Sequence, residues 1–197
     1  MAPAGQGVDA RLRPVAQRDG LELAIATGGR RAIGDAILTP ESPRLLRGVE
    51  IGPLQCWPDD RGYFLELLRA GQGIAAGFSS ASLKVSASLS YPGTIKAFHF
   101  HSRQTDLWAP VAGMLQVCLY DLRVGSPTFG GTNTLYVGEL RPWSLRIPPG
   151  VGHGYKVLGT RPAVLIYATD RFYDPEDEGR IPYNDPDINY DWETQHR

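Results

Sequence analysis

The stretch that decides the fold is GTIKAFHFHSRQTDLWAPVAG, residues 93–113. It places His99 and His101 two residues apart and brings a carboxylate, Asp106, five residues after the second histidine. Side chains at positions i and i+2 of a β-strand project from the same face, so both imidazoles are expected to face one side. Three interpretations are open for this stretch alone: a metal site, an acid–base site, or a polar strand that faces solvent.

The composition is that of a globular protein with a single core. The chain has 197 residues, of which 42% are hydrophobic and 21% charged, and its net charge is −1. Because Lys and Arg form no dense block, nucleic acid is a poor candidate for the partner. No apolar run approaches the roughly 20 residues that span a bilayer, and the first residues lack the apolar core of a signal peptide. Only Cys56 and Cys118 occur, which excludes a disulfide framework and favours a cytoplasmic protein without a membrane partner.

Short apolar runs between turn residues predict an all-β fold. In residues 114–122, MLQVCLYDL, the apolar side chains of Leu115, Val117 and Leu119 recur with the period of two that is typical of a strand. About ten such segments predict a barrel or double-sheet jelly roll over residues 46–197. Residues 67–78 hold a plausible helical turn. Residues 1–45 are predicted to be an N-terminal extension, partly disordered or arm-like, with one strand at 20–26, and the acidic tail is expected to wrap the outside.

The spacing of the histidines resembles the two motifs of the cupin superfamily. Residues 93–113 match G-x5-HxH-x4-E-x6-G with Asp in the Glu position, and residues 148–153 match the centre of the second motif, PxG-x2-H. The fold implied is a cupin-type jelly-roll β-barrel with a short N-terminal extension. Three histidines and a carboxylate suit a divalent transition metal, so the candidate metal ligands are His99, His101, Asp106 and His153. A solvent-facing polar strand is the alternative, and the second motif argues against it.

A further set of motifs resembles the dTDP-4-dehydrorhamnose 3,5-epimerase family. In order along the chain these are RGYFLE (61–66), KAFHFH (96–101), DLRVGSPTFG (121–130), IPPGVGHGYKVLG (147–159) and the pattern Tyr-x5-Tyr-x4-Glu that starts at Tyr167. The resemblance runs from about Leu46 to Trp192. It implies a cofactor-independent isomerase of deoxysugar biosynthesis, usually a homodimer whose N-terminal strands cross to the partner.

The resemblance also implies the chemistry and the residues that carry it. Such enzymes act on a nucleotide-linked 4-keto-6-deoxy sugar, whose ketone acidifies the protons on C3 and C5. A base removes one proton and an acid returns a proton to the opposite face, roles that match His99 and Tyr167. The residues that match substrate-binding positions of the family are Arg61, Phe64, Glu66, Lys96, His153, Tyr173 and Glu178.

Three departures from the family pattern bear on this chemistry. The base motif, normally His-x-Gln, is His-x-His here. In the family's Gln-x-Lys-Leu segment, Asp106 takes the place of a lysine that would stabilise an enolate, and a carboxylate there would repel it. The family's Asp that orients the base lies beyond the tail tryptophan, and five residues follow Trp192. We therefore expect His99 to lack that support.

Three functional hypotheses follow from these features. The first is an epimerase in which His99 and Tyr167 transfer protons. The second is a metal-dependent cupin enzyme with the three-histidine and Asp106 ligand set, and these two compete because a metal-bound His99 cannot also be the free base. The third is a non-catalytic nucleotide-sugar-binding relative. Arg61 could also simply bridge a turn, and Tyr167 could be a core tyrosine.

Overall fold

The computed structural model describes residues 12–193, so the parts of the predicted extension and tail at 1–11 and 194–197 lie outside the described residues. This part of the chain is nearly all β. The strands are β1 (Leu12–Arg18), β2 (Leu21–Ala26), β3 (Asp35–Ala36), β4 (Glu50–Pro53), β5 (Cys56–Asp59), β6 (Gly62–Leu65), β7 (Lys84–Ser90), β8 (Ile95–His101), β9 (Asp106–Ala112), β10 (Met114–Asp121), β11 (Thr132–Gly138), β12 (Trp143–Ile147), β13 (Val151–Leu158), β14 (Ala163–Thr169) and β15 (Glu178–Arg180).

Two sheets form the barrel. The larger sheet has the order β15-β8-β13-β10-β11-β3, and the smaller has the order β4-β12-β9-β14-β7. All their pairings are antiparallel except that of β3 with β11. This arrangement confirms the predicted all-β jelly roll, and it places β8 and β9, the two strands of the stretch 93–113, in different sheets.

The core lies between the sheets and follows the predicted alternation. Leu115, Val117 and Leu119 of β10 are fully buried in it, together with side chains of the smaller sheet such as Leu145 and Leu165. Burying this apolar surface provides the main driving force for closing the two sheets on each other. One end of the space between them is lined by polar side chains instead, and the candidate site lies there.

The outer face of the larger sheet is buried as well. Cys118 and Tyr120 of β10 point to this side, where they pack against Leu23 and Ile25 of β2 and against the chain's tail, including Trp192. Residues 181–192 of the tail therefore wrap the outside, as predicted, whereas β15, near the start of the tail, joins the larger sheet. The extension contributes a β1–β2 hairpin whose apolar side chains are part of the fold.

The strand predictions hold with some corrections. The helical turn predicted within residues 67–78 is a 3-10 turn at Gly73–Ala75, and the chain between the end of β6 at Leu65 and this turn is irregular. The strand predicted at residues 20–26 is β2, whereas β1 and β3 in the extension and β15 in the tail are further strands. Within residues 12–193 no helix is long and apolar enough to cross a membrane.

Candidate active site

A cavity of about 320 Å³ opens between the two sheets. One wall comes from β8, β13 and β15 of the larger sheet, and the other from β7, β9 and β14 of the smaller one. Of the predicted site residues, the cavity brings together His99, His101, Asp106, His153, Lys96, Tyr167, Tyr173 and Glu178. Both halves of the sequence prediction, the acid–base pair and the metal set, thus face one space.

The three histidines come from two neighbouring strands. His99 on β8 lies directly opposite His153 on β13, with 6.5 Å between the ring centroids, and His101 lies 5.7 Å from His153 by the same measure. His99 and His101 project into the cavity, while Phe98 and Phe100 pack in the outer core. The i, i+2 argument from the sequence therefore holds.

Lys96 faces the same cavity although it lies three residues before His99, a spacing that puts two side chains on opposite faces of a regular strand. The pairing of β8 with β13 shifts register between His153 and Tyr155, so Lys96 lies opposite Tyr155. Such an irregularity re-aims a side chain that a regular strand would send to the other face. The Lys96 ammonium donates to the Ser88 hydroxyl at 2.8 Å and lies 6.0 Å from the Tyr155 ring centroid.

A carboxylate lies beside the predicted base. The Oε1 atom of Glu178 on β15 is 3.3 Å from Nδ1 of His99 and accepts a hydrogen bond from Nε of Arg180 at 2.7 Å. Burial lowers the pKa of His99 and the facing His153 lowers it further, while Glu178 acts in the opposite direction. With a proton on Nδ1 toward Glu178, the free lone pair of His99 is on Nε2. The orienting carboxylate expected to be missing thus has a counterpart in Glu178, which the sequence had assigned to substrate binding.

Tyr167 faces the cavity from the opposite sheet. It lies on β14 between Ser86 of β7 and Trp108 of β9, and it is half-buried. His99 and Tyr167 therefore approach a bound molecule from two different walls. A proton could be removed on one side and returned on the other.

The remaining predicted metal residues form a tight buried group. The ligand atoms of His101, Asp106 and His153 all lie within 4.8 Å of one another. His101 Nε2 is 3.9 Å from Asp106 Oδ1, and His153 Nε2 is 3.5 Å from Asp106 Oδ2. Burial lowers the pKa of His153, and the Asp106 carboxylate acts against that shift. The structure thus groups three of the four predicted ligands, while Nδ1 of His99 faces Glu178.

The loop that joins β8 to β9 is held by one buried carboxylate. Asp177 accepts hydrogen bonds from the backbone N–H and hydroxyl of Ser102 and from the backbone N–H groups of Arg103 and Gln104, at 2.6–3.0 Å. Burial would raise the pKa of Asp177, but these hydrogen bonds lower it. The loop fixes the relation of the His99 strand to the Asp106 strand.

Three predicted substrate-binding residues lie away from the cavity. Arg61 pairs with Asp59 in the β5–β6 turn, the bridging role that had been its alternative, and Glu66 pairs with Arg69. Phe64 is 64% exposed and contacts Trp57 on the same hairpin. In contrast, Lys84 and Arg180 line the cavity and were not predicted. Nothing in their sequence spacing distinguishes them from other surface cations.

The fold and the cavity define a class of protein: a cupin-type jelly-roll barrel with acid–base side chains between its sheets. The model of the dTDP-4-dehydrorhamnose 3,5-epimerase family matches residues 44–197. The chain therefore belongs to this family, and the predicted resemblance is confirmed. At the level of the family, the predicted carbohydrate epimerase class is confirmed as well.

Individual relatives support the same assignment. The chain is 46% identical over 155 residues to the spore coat polysaccharide biosynthesis protein SpsL of Bacillus subtilis (strain 168), covering 78% of this chain and 100% of that protein. It is 36% identical to the probable low-salt glycan biosynthesis epimerase Agl13 of Haloferax volcanii, covering 76% and 96%. Among solved structures, a dTDP sugar isomerase from Desulfovibrio desulfuricans G20 aligns with a TM-score of 0.69 at 31% identity, covering 79% of this chain and 94% of that one.

Proposed function

We propose that this protein epimerises a nucleotide-linked 4-keto-6-deoxy sugar. The observation that carries the proposal is the His99–Glu178 pair facing Tyr167 across one cavity. A structural relative from Legionella pneumophila, 29% identical with a TM-score of 0.63 over 73% of this chain and 78% of that one, was solved with dTDP-4-keto-L-rhamnose. A ligand of this class supplies the acidic C–H bonds that the pair would need.

The proposed reaction is a proton exchange next to the ketone. The Nε2 lone pair of His99 takes the proton from a carbon adjacent to the C4 carbonyl, and the electron pair moves onto the ketone oxygen to give an enolate. Tyr167 then returns a proton to the same carbon from the opposite face, which inverts it. Glu178 holds the His99 tautomer and stabilises the imidazolium that forms.

The nucleotide diphosphate would bind to cationic side chains of the cavity. Lys84, Lys96 and Arg180 line the cavity, and Lys84 lies 5.5 Å from the ring centroid of Tyr173. Lysine and arginine supply both charge and hydrogen-bond donors to phosphate oxygens. Tyr173 adds an aromatic face on which a base or sugar could pack.

Deuterium exchange tests the proposed reaction. We expect the purified protein to incorporate solvent deuterium into a dTDP-linked 4-keto-6-deoxy sugar in heavy water, at C3, C5 or both, as followed by mass spectrometry and proton NMR. His99→Asn should abolish incorporation, and Tyr167→Phe should reduce it. Tyr183→Phe is the matched control, because Tyr183 is 49% exposed and lies outside the cavity. Absence of exchange with any such sugar would instead favour the non-catalytic nucleotide-sugar-binding relative.

We also propose a homodimer in which the β5–β6 hairpin completes the partner's site. The hairpin exposes Trp57, Tyr63 and Phe64, each at least 50% accessible. The hairpin also carries Arg61, and Glu66 follows directly after it. Both residues match substrate-binding positions of the family, and both lie away from the cavity of their own chain. An exposed aromatic patch beside unused binding residues is a feature of an interaction surface.

Subunit complementation tests this arrangement. His99→Asn and Arg61→Ala are each expected to inactivate the dimer, and the two variants are then mixed under conditions that exchange subunits. If the hairpin acts across the dimer, each mixed dimer contains one intact site, and about a quarter of the wild-type activity returns at random mixing. If Arg61 acts within its own chain, every site keeps one defect and no activity returns. A monomer by light scattering would also contradict the proposal.

Location in the cytoplasm is part of the same proposal. Cys56 and Cys118 are both free thiols, as expected in a reducing compartment. Fractionation of the source cells would test it, with recovery of the protein in the soluble cytosolic fraction as the expected result.

A metal-dependent cupin enzyme is the second candidate function. The grouping of His101, Asp106 and His153 favours it, and the full predicted set would add His99 as a fourth ligand. Activity that is unchanged after treatment with a strong chelator would count against it. Elemental analysis of the purified protein is the direct measurement.

A further inference from the structure

We propose that His101, Asp106 and His153 form a three-ligand site for a divalent transition metal, and that His99 is not a ligand. Metal binding and the acid–base role of His99 are then compatible, because they use different residues on neighbouring positions of the cavity wall. The inference rests on which atoms of these three side chains face one another.

The hydrogen bond of His153 fixes which of its nitrogens is available. Nδ1 of His153 lies 3.0 Å from the carbonyl oxygen of Val151, and a carbonyl can only accept, so Nδ1 carries the proton. In the neutral ring Nε2 then presents a lone pair, and it faces Asp106 Oδ2 at 3.5 Å. Two acceptors that face each other repel, and a metal cation between them would bind both.

Gln104 fixes which nitrogen of His101 is available. The Gln104 amide nitrogen is 2.6 Å from Asp106 Oδ1, and a carboxylate oxygen needs a donor, so this atom is the NH2 group. That NH2 group also lies 3.1 Å from Nε2 of His101, which therefore accepts as well. Acceptor atoms of His101, His153 and Asp106 thus lie within 4.8 Å of one another, with His101 beside Oδ1 and His153 beside Oδ2 of the same carboxylate.

The geometry suits a small divalent ion after modest movement. A tetrahedral ion with bonds of about 2.0–2.2 Å holds its ligand atoms roughly 3.3–3.6 Å apart. The observed separations are 3.5 Å from His153 to Oδ2 of Asp106 and 3.9 Å from His101 to Oδ1, and all the ligand atoms lie within 4.8 Å of one another, so the side chains would have to move inward to bind one ion. The Gln104 hydrogen bond to His101 would be exchanged for the bond to the metal.

The residues around the ligands resemble those that orient metal ligands. The Val151 carbonyl fixes the His153 tautomer, the indole N–H of Trp108 lies 3.3 Å from Asp106 Oδ2, and Gln104 holds the other carboxylate oxygen. Outer hydrogen bonds of this kind set the direction and basicity of metal ligands. Three protein ligands beside a cavity leave a further coordination position free, which is the pattern of a catalytic site.

The chemical role of the ion rests on the proposed function. An ion at this position would supply, next to the sugar ketone, the positive charge that the family's lysine supplies and that Asp106 by itself would oppose. The metal site itself does not depend on the epimerase proposal, since binding can be measured without substrate.

The test is metal binding by the full-length, tag-free protein. The protein is stripped with chelator and titrated with Zn²⁺ by calorimetry. Bound metal is then counted by elemental analysis, and Co²⁺ is used as a spectroscopic probe of tetrahedral coordination. The variants are Asp106→Asn, His101→Gln and His153→Gln, with His99→Asn as the matched control and circular dichroism as the check on folding.

The expected result is one bound equivalent in the wild type and in His99→Asn, with affinity at least about 10-fold weaker in each ligand variant. Equal loss in His99→Asn would overturn the three-ligand assignment in favour of the four-ligand one. Absence of saturable binding and of a Co²⁺ spectrum in the wild type would overturn the site altogether. Because no sugar is present, either failure is distinct from failure of the deuterium-exchange test. If a ligand variant does not fold, the wild-type and His99→Asn titrations still decide the proposal.

Discussion

Replacing Glu178 with glutamine tests whether this residue supports the base or binds the substrate. The substitution keeps the size of the side chain and its ability to accept from Arg180, but it removes the negative charge 3.3 Å from Nδ1 of His99. That charge matters most after His99 has taken a proton, because the imidazolium then forms an ion pair with it. The expected effect is therefore on the rate of proton removal rather than on substrate affinity.

The magnitude follows from the geometry. Two unit charges about 3.3 Å apart at an effective dielectric constant of roughly 20 attract by about 5 kcal/mol. The His99 side chain is 38% exposed and Arg180 already neutralises part of the Glu178 charge, so solvent and that pairing reduce the effect. We expect about 2–3 kcal/mol, which is roughly a 30- to 150-fold fall in kcat.

The assay is the initial rate of deuterium incorporation at several substrate concentrations. Glu178→Gln should lower kcat with KM nearly unchanged, and Glu178→Asp should recover part of the rate. The exposed Glu176, which lies outside the cavity, provides the matched control Glu176→Gln. An unchanged kcat with a raised KM would refute the reasoning and return Glu178 to the substrate-binding role predicted from the sequence.

Further predictions concern stability. Asp121 is fully buried and accepts hydrogen bonds from Arg123, Ser126 and Thr128 at 2.6–2.9 Å. Asp121→Asn should therefore lower the free energy of unfolding by about 3–5 kcal/mol. Thermal unfolding at neutral pH should show a melting temperature roughly 6–20 °C lower. Burial would raise the pKa of Asp121, but its hydrogen bonds bring it below 3.8. The stabilisation by Asp121 is therefore complete above about pH 4 and is lost as the pH falls through its folded-state pKa. A difference in melting temperature between the wild type and Asp121→Asn that stays constant below pH 3 would contradict this. Gly179→Ala would place a Cβ in steric clash with the Phe100 ring, so it should cost about 1–3 kcal/mol by the same unfolding assay and also lower the exchange rate by displacing β15.

The strands and the histidine face could be predicted because both depend on a period of two. Leu115, Val117 and Leu119 point to the core, and His99 and His101 point to one cavity, as the alternation requires. The DLR-x2-SPTFG motif begins at Asp121, which accepts hydrogen bonds from Arg123, Ser126 and Thr128 of the same motif, so these residues hold the turn together. Local repetition of side-chain direction is information that a sequence carries directly.

The parts that could not be predicted depend on irregular or distant pairing. Lys96 enters the cavity through a register shift that no spacing rule reveals. Glu178 reaches His99 through the three-residue strand β15, which is too short for a pattern. The β1–β2 hairpin buries Leu23 and Ile25 against an outer face whose position is set by the folded barrel. In each case tertiary contacts decide where the side chain lies.

The two substitutions that distinguish this chain from the family pattern have a common structural explanation. His101 and Asp106 lie on different strands of different sheets, yet both contact the group around His153, and neither replaces the carboxylate at His99. Replacing the family's lysine by Asp106 alone would bury a negative charge where the enolate oxygen has to develop. This is costly unless a cation binds beside the carboxylate. In the proposed metal site, His101 provides a second nitrogen ligand for such a cation. The two changes thus lie on both walls of the cavity, beside His153, and leave the His99–Glu178 pair in place, so they are compatible with the proposed proton transfer by His99 and Tyr167.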